Sequence, residues 1–540
     1  MLWTKGGGGK IDYVEVLDTT LRDGAQTRGV TFTLHDKLRI AEKLDELGVD
    51  IIEGGWPGSN PKDEEFFREA RKLSFSNSRL GAFGSTRRPN VKPSQDPSLN
   101  ALLKADVPVA IIFGKSWILH VIDVLRTTPE ENLRMVADTV EYLREHGLEV
   151  VFDAEHFFDG YRESPEYALQ VLKQARDAGA STIVLCDTNG GTLPFRVGEV
   201  VRRVRREIDT RLGIHAHNDC GVAVANSLVA VTEGVRHVQG TMIGLGERCG
   251  NADLTQIIPN LALKMNYSVL KNSEGLRKLK DVAYYVAEVS GFQITPNYPF
   301  FGVNAFAHKG GVHIDAMLKN PRTYEHIDPS LLNMERTLSV SELAGRAALV
   351  NHAAKLGLVL TKEQVASILE KIKRLEAEGY HFEPADATVS LMILEAVGYD
   401  VERLRVRTWW VEVLMAGKIT ARAVVSMDID GEAVTEMAEG VGPVHALDAA
   451  IRAAVLKRYP QLESTQLVNY KVSVIDTKDA TAAAVRVFIE FSDNGNRWAT
   501  TGVSKNIVEA SLKAIVDGYS YKLLVLDGGF TSRSQADNGS

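Results

Sequence analysis

The first half of the chain alternates short apolar runs with segments of helical periodicity. Eight of the apolar runs are typical of buried parallel strands. They span Val14–Thr20, Val49–Gly55, Leu80–Gly84, Val107–Gly114, Val150–Ala154, Thr182–Asp187, Gly213–His217 and His237–Leu245. Between them lie helical segments such as Leu34–Leu47 and Pro165–Ala178, and Ser164 is the expected N-cap of the second.

Eight strand–helix units at roughly thirty-residue spacing predict a (β/α)₈ TIM barrel, an α/β fold. The alternative is an open doubly wound sheet, which normally has fewer strands and a Gly-rich phosphate loop after the first. The barrel is the preferred interpretation, and we assign it to residues 11–275 as the catalytic domain.

The pattern changes after residue 275. Residues 276–405 predict a helical linker region that prolines interrupt. Residues 406–530 predict a strand–strand–helix unit that occurs twice, which indicates a duplicated α+β regulatory domain. The predicted strands are Val411–Leu414 and Ala421–Asp428 in the first copy, and Lys471–Ile475 and Ala484–Phe491 in the second, with a turn at Asn494-Gly495. The polar residues 531–540 predict a disordered tail.

Composition narrows the class of protein. The formal net charge is −8 and no dense Lys/Arg block is present, which argues against a nucleic-acid partner. The cysteines Cys186, Cys220 and Cys249 are too few for a disulfide framework, suit a reducing cytosol, and are expected to be small buried residues. Met1–Lys10 is Gly-rich and unlike a signal peptide, and no run suits a membrane span. We therefore expect a cytoplasmic protein without a membrane partner.

Two strand ends carry residues suited to a metal ion. Arg22 and Asp23 follow strand one, where a carboxylate can bind a cation and a guanidinium can donate to a developing oxyanion. A surface salt bridge is the alternative. His215 and His217 end strand seven and point the same way because strand side chains alternate. A lone histidine is more often a core residue, but this pair favours a divalent ion, Mn²⁺, Mg²⁺ or Zn²⁺.

Three further strand ends offer weaker candidates. Asn251, in the loop after strand eight, is a candidate fourth metal ligand. In the same loop Gly244, Gly246 and Arg248 are candidates for the approach of a phosphate group, although glycines serve many turns. Thr188 could hydrogen-bond a substrate carboxylate or simply cap a turn. Glu155 could face the pocket or only solvent.

Several motifs together resemble the DRE-TIM metallolyase family, which includes 2-isopropylmalate, homocitrate and citramalate synthases. The motifs are Leu21–Gln26, His215–Asp219 and Gly246–Asn251. The segment Phe306–Asp315 resembles the family's linker, and the duplicated unit resembles its regulatory domain. The resemblance covers nearly the whole chain.

The resemblance implies a role for each candidate residue. Asp23, His215 and His217 would hold a divalent metal ion, with Asn251 as a ligand or close neighbour. Arg22 would donate to the keto oxygen of a 2-oxo acid, Thr188 would bind its carboxylate, and Glu155 would orient Arg22 and the substrate. In the linker, His313 would take a proton from the acetyl-CoA methyl group, with Asp315 as its orienting partner. Coenzyme A would approach Gly244, Gly246 and Arg248.

The resemblance also implies substrates and regulation. The expected reaction joins acetyl-CoA to a small 2-oxo acid. The residues after strands one and two look closest to the citramalate synthases, and 2-isopropylmalate synthases usually have an acidic residue where Ala25 stands. This difference favours pyruvate, with isoleucine as the feedback inhibitor and a homodimer in which His313 serves the partner's barrel. The alternatives are a 2-isopropylmalate synthase using 2-oxoisovalerate, an acyl-CoA lyase, and an amino-acid sensor with an inert barrel.

Overall fold

A computed structural model describes residues 12–338, 345–383, 385–416, 418–475 and 482–528. The stretch Met1–Lys10 and the predicted tail 531–540 lie outside the described residues. The chain divides into two compact units, Met1–Phe306 with Ile327–Glu335, and Ala307–His326 with Arg336–Ser540. Within the described ranges, every helix is too short or too polar to cross a bilayer.

The first unit is built on a closed barrel of eight parallel strands in sequential order, with β1 pairing β8. This confirms the predicted barrel and shows that the open doubly wound sheet is wrong. The strands are β1 Glu15–Asp18, β2 Ile51–Glu53, β3 Arg79–Ser85, β4 Val109–Lys115, β5 Glu149–Glu155, β6 Thr182–Asp187, β7 Arg211–Ala216 and β8 His237–Gly240. The helices are α1 Leu34–Leu47, α2 Pro61–Ala70, α3 Pro97–Lys104, α4 Pro129–Glu145, α5 Phe157–Glu163, α6 Pro165–Asp177, α7 Pro194–Val204, α8 Ala223–Thr232, α9 Leu254–Pro259 and α10 Gly275–Ser290.

Element ends follow local chemistry that the sequence shows only in part. α1 begins with a capping box between Thr33 and Asp36, and it ends at Gly48 in the left-handed conformation. Ser164 stands at the N-cap of α6, as expected, and its side chain makes no capping hydrogen bond. β8 stops at Gly240, five residues before the predicted end, because the apolar residues that follow form a buried turn.

Alternation along the strands produces two cores. One set of side chains packs outward against the helices, and the other set fills the barrel interior. The interior core consists of Leu17, Ile51, Phe83, Val109, Ile111, Val151, Val184 and Cys186. Each fully buried aliphatic side chain stabilises the fold by about 1.5–3 kcal/mol. Because this layer is filled, the polar side chains farther along the strands can be reached by a ligand only from the carboxyl ends of the strands.

Residues beyond the barrel proper complete the first unit. α10, which begins at the predicted linker boundary, packs against α1. A short 3₁₀ helix at Pro329–Leu332 then packs against α10, and its Leu332 is fully buried. The chain therefore leaves this unit after Phe306 and returns to it for Ile327–Glu335.

The second unit begins with a helical part around its own small core. The helices are α11 Gly311–Lys319, α12 Gly345–Lys355, α13 Lys362–Ala377 and α14 Asp386–Ala396, and a two-stranded sheet pairs β9 Ala307–His308 with β10 Thr337–Leu338. Ile314, Leu349, Ile368, Ile372 and Phe382 are among the buried residues of this core.

The duplicated unit is confirmed, but each copy has three strands where two were predicted. The first copy is β11 Leu404–Ala416, β12 Lys418–Ile429, β13 Glu432–Gly440 and α15 Pro443–Arg458, and the second is β14 Gln466–Val474, β15 Val485–Asp493, β16 Asn496–Ser504 and α16 Ile507–Tyr521. The strand β13 was missed because acidic residues interrupt its apolar alternation. The predicted turn is present, with positive φ at both Asn494 and Gly495.

The cysteines only partly follow expectation. All three are free, and Cys186 is buried within the barrel. Cys220 and Cys249 are exposed, so the expectation that each would be buried is wrong for these two.

Candidate active site

A pocket of about 230 Å³ opens at the carboxyl ends of the barrel strands. Seven predicted site residues line it: Arg22, Asp23, Glu155, Thr188, His215, His217 and Arg248. The barrel register produces this convergence because the carboxyl ends of all eight strands meet at one face.

Three buried donor atoms lie close together at the pocket floor. The Nε2 atoms of His215 and His217 are 3.3 Å apart, and they lie 3.6 and 3.8 Å from Oδ2 of Asp23. The circle through these three atoms has a radius of about 2.1 Å, which is the usual length of a zinc–nitrogen bond. The cluster is able to hold a divalent metal ion.

Unsatisfied polar atoms around the cluster support this interpretation. Among the described residues, Oδ1 of Asp23 and Oδ1 of Asn251 are buried without a hydrogen-bond partner. Without a cation, the two Nε2 atoms could share one proton in a hydrogen bond, but both oxygens would still lack a partner. A buried acceptor without a partner costs about 1–3 kcal/mol. A cation satisfies the imidazoles and the oxygens together.

The local charges hold the ligands in their metal-binding forms. Burial, and then the neighbouring ring of His217, lower the pKa of His215, which keeps this imidazole neutral. Burial alone would raise the pKa of Asp23, but the Arg22 guanidinium and the two histidines hold it below its ordinary value. A neutral imidazole and an ionised carboxylate are the forms that bind a metal ion.

Arg22 is fixed on three sides beside the cluster. Its Nε donates to Oε2 of Glu53 at 2.7 Å, and its Nη1 donates to Oδ2 of Asp23 at 3.0 Å. Its Cζ lies 3.8 Å from the centroid of the Phe83 ring. Despite the opposing effect of burial, Glu53 and Asp23 raise the pKa of Arg22, so the guanidinium is permanently charged. The surface salt bridge considered from the sequence is wrong, because both partners are buried or nearly so.

Glu155 lines the pocket but does not contact Arg22 in the way the resemblance implies. Its carboxylate is paired with the ammonium of Lys115. The carboxylate that orients Arg22 is Glu53, which also accepts from the hydroxyl of Thr19.

Thr188 has a hydroxyl proton available for a ligand. Its Oγ1 accepts from the backbone N–H of His156 at 2.8 Å, and a hydroxyl that accepts one bond still has its own proton to donate. Arg248 borders the same side of the pocket, where it pairs with Asp219 at 2.8 Å and donates to the carbonyl of Thr188 at 2.7 Å.

The loop after β8 places Asn251 at the cluster. Asn251 forms an antiparallel bridge with His217, and its backbone N–H donates to the carbonyl of Gly244 at 3.1 Å. Gly246 has φ +154°, and a Cβ there would lie 2.1 Å from Nδ2 of Asn251. The absent side chain of Gly246 thus makes room for Asn251. Contact between coenzyme A and Gly244, Gly246 or Arg248 stays a prediction.

His313 and Asp315 lie in the second unit, on α11. The His313 ring stacks on Tyr324 with 4.1 Å between centroids, and Asp315 pairs with Lys319 at 2.6 Å. The structure pairs Asp315 with Lys319 on the same helix, and residues two apart on a helix lie on different faces. The predicted roles of both residues in catalysis stay predictions.

Three aromatic rings form one wall of the pocket. Trp56 meets Phe83 and Phe113 edge-on at 5.5 Å, and Phe83 stacks on Phe113 at 5.3 Å. Rings that contact one another in this way are held rigidly, which limits the size of a ligand beside Arg22.

The sequence reasoning missed Glu53, Asp153 and Gln239. All three are buried, and Asp153 lines the pocket. Burial, and then the charge of Glu53, raise the pKa of Asp153 to about 8. The signal was available, because each is a polar residue at an inward position near the carboxyl end of an apolar strand.

Comparison with known proteins agrees with this architecture. The HMGL-like family matches residues 13–286, the homocitrate synthase post-HMGL domain-like family matches 300–380, and the LeuA allosteric (dimerisation) domain matches 383–523. These matches define an HMGL-like barrel enzyme with a LeuA-type allosteric domain.

Full-length relatives refine that class. The chain is 50% identical to an (R)-citramalate synthase of Aquifex aeolicus over 526 residues, which cover 95% of this chain and 98% of the relative. It is 50% identical to an (R)-citramalate synthase of Sulfolobus acidocaldarius, covering 94% and 97%. A 2-isopropylmalate synthase of Methanocaldococcus jannaschii is 33% identical, covering 94% of each chain. The chain therefore belongs to the (R)-citramalate synthase family of enzymes.

Proposed function

We propose that this chain condenses acetyl-CoA with pyruvate and water to give (R)-citramalate and coenzyme A. One observation carries the proposal: Asp23, His215 and His217 converge beside a fixed Arg22 in a chain that matches (R)-citramalate synthases along nearly its whole length. A bond forms between the thioester methyl carbon and the keto carbon, and the methyl group loses a proton. Water then breaks the thioester C–S bond and releases coenzyme A.

The site residues suit this chemistry. A divalent ion, Zn²⁺, Mn²⁺ or Mg²⁺, held by Asp23, His215 and His217 would act as a Lewis acid toward the 2-oxo acid. Arg22 donates to the keto oxygen as it gains negative charge, and it needs no rearrangement because Glu53 already holds it. The free hydroxyl proton of Thr188 donates to the substrate carboxylate.

The aromatic wall supports pyruvate over larger acids. The small methyl group of pyruvate would leave the contacts among Trp56, Phe83 and Phe113 intact, whereas the branched side chain of 2-oxoisovalerate would displace these rings. Proton removal from the acetyl methyl group is assigned to His313 by the family resemblance, in the same or a partner subunit.

Release of free coenzyme A thiol from acetyl-CoA tests the function. With Mn²⁺ or Mg²⁺ present, we expect release with pyruvate at a kcat/KM at least about tenfold above that with 2-oxoisovalerate. Preference for 2-oxoisovalerate would move the enzyme to leucine synthesis, and no release with either acid would restore the lyase and sensor alternatives.

Regulation and assembly complete the proposal. The protein would be a cytoplasmic homodimer that isoleucine inhibits through the duplicated domain. The sheet β11–β13 supports self-association, because Trp410 and Met437 on its face away from α15 are 47% and 59% exposed. Isoleucine added to the thiol assay should reduce turnover, and it should have no effect on a chain truncated after Arg407.

A further inference from the structure

A buried amide that the proposed mechanism does not use lies directly behind the metal-ligand cluster. Gln239 of β8 is opposite His215 of β7 in the strand register, and both side chains point into the barrel. Oε1 of Gln239 lies 3.0 Å from Nδ1 of His215. An amide oxygen only accepts, so Nδ1 of His215 must carry the proton.

The nitrogen end of the same amide is also fully engaged. Nε2 of Gln239 donates to Oδ1 of Asp153 at 2.9 Å and lies 3.4 Å from Nε2 of His237. Nδ1 of His237 is 2.7 Å from Oε2 of Glu15, which is paired with two arginines and therefore ionised. Nδ1 of His237 then donates to this carboxylate.

In the observed orientation both ends of the Gln239 amide have a partner of the right kind, His215 for the oxygen and Asp153 for the nitrogen. If the amide turned over, its nitrogen would face His215 and its oxygen would face Asp153, and both of these hydrogen bonds would be lost in their present form. A buried hydrogen bond that is lost without replacement costs about 1–3 kcal/mol.

The fixed amide sets which nitrogen of His215 faces the cluster as an acceptor. With the proton held at Nδ1, Nε2 presents its lone pair toward Asp23 and His217. A carbonyl or carboxylate behind a metal-binding histidine fixes the ring and increases the basicity of the ligand nitrogen.

We propose that Gln239 is a positioning residue that holds His215 in its metal-binding tautomer and links it to Asp153 across the barrel. Asp153 belongs to β5 and lines the pocket. The side chain of Gln239 therefore connects the metal ligand His215 to a residue of the pocket wall. This inference rests on the proposed metal site.

Two variants separate the two ends of the amide. In Gln239→Leu both ends are lost, whereas Gln239→Glu keeps an acceptor for His215 and loses the donor to Asp153. Zn²⁺ affinity is measured on the full chain after chelation, by competition with a chelating dye. We expect Gln239→Leu to weaken Zn²⁺ binding by about 10–100-fold. Gln239→Glu should bind Zn²⁺ close to wild type but turn over more slowly.

A matched control is Asn226→Leu. Asn226 is also a fully buried amide, but it donates only to the carbonyl of Thr192 at 2.8 Å, on the outside of the barrel. Its loss should leave Zn²⁺ affinity unchanged. Thermal unfolding of each metal-free variant establishes that the chain is folded before binding is compared.

Three results would overturn the proposal. The first is wild-type Zn²⁺ affinity in a folded Gln239→Leu chain, and the second is an equal loss of affinity in the Leu and Glu variants. The third needs no variant: nitrogen-15 NMR of histidine-labelled wild-type chain with Zn²⁺ should show His215 protonated at Nδ1, and protonation at Nε2 contradicts the inference. A wild-type chain that binds no Zn²⁺ would instead overturn the metal site itself.

Discussion

Replacing His217 with alanine should remove the metal ion and nearly all release of coenzyme A from acetyl-CoA and pyruvate. Nε2 of His217 is one of three donor atoms within 3.8 Å of one another, and two remaining donors cannot hold a divalent ion against water. The Lewis acid supplies several kcal/mol to the transition state, so turnover should fall by at least about 10³-fold. Thiol release and bound metal, counted after gel filtration, are measured on the same preparation.

The control for this variant is His35→Ala, an exposed histidine on α1. It removes the same side chain at a residue that does not line the pocket and should keep both metal and turnover. The His217→Ala chain should remain folded by circular dichroism, since truncation leaves a small space at a pocket edge. Full activity in His217→Ala, with or without metal, would show that the histidine pair is not the metal site.

Replacing Arg22 with glutamine should lower kcat by about 10²–10³-fold, the effect of losing one oxyanion donor. The guanidinium is held between Glu53, Asp23 and the Phe83 ring. A neutral amide at this place has no positive charge and does not direct a donor toward the keto oxygen. KM for pyruvate should change less than kcat, because the contact is strongest when the keto oxygen becomes negative. Steady-state kinetics with pyruvate varied at saturating acetyl-CoA measure both constants.

Arg22→Lys distinguishes charge from geometry. Lysine keeps the charge but cannot contact Glu53 and the keto oxygen at once, so kcat should stay within about tenfold of the glutamine variant. Arg39→Gln, on the exposed face of α1, is the matched control and should be unchanged. If Arg22→Gln lost its metal ion together with its turnover, Arg22 would act by holding Asp23 rather than by stabilising the oxyanion.

The barrel and its main site were predictable because both depend on alternation along strands. The same period of two that placed His215 and His217 on one side also places His237 and Gln239, and Asp153 and Glu155, inside the barrel. These pairs were not recognised as a network, because the sequence does not tell which inward residues meet across the interior. That depends on the stagger of the strands around the closed sheet.

Other misses have different physical causes. Glu53 ends β2, and its pairing with Arg22, in the loop after β1, is a contact between two elements that the pattern within one strand does not show. The end of β8 was misplaced and β13 was missed, because apolar composition and backbone geometry disagree at both places: a buried turn is apolar, and an edge strand is charged. His313 lies on α11, in the second unit. The sequence does not tell which barrel, in the same chain or in a second one, this helix would serve.

The order of segments along the chain has a consequence for its synthesis. Ile327–Glu335 completes the first unit, while Ala307–His326, made earlier, belongs to the second. The first unit is therefore still incomplete when its eighth strand leaves the ribosome, and it gains its last segment only when Glu335 has emerged. Meanwhile β9 and α11 are already outside the exit tunnel without β10 and α12, their later partners. The segments of the two units thus alternate along the chain in this region. A single cut within residues 307–335 would remove a segment from each unit rather than separate the two.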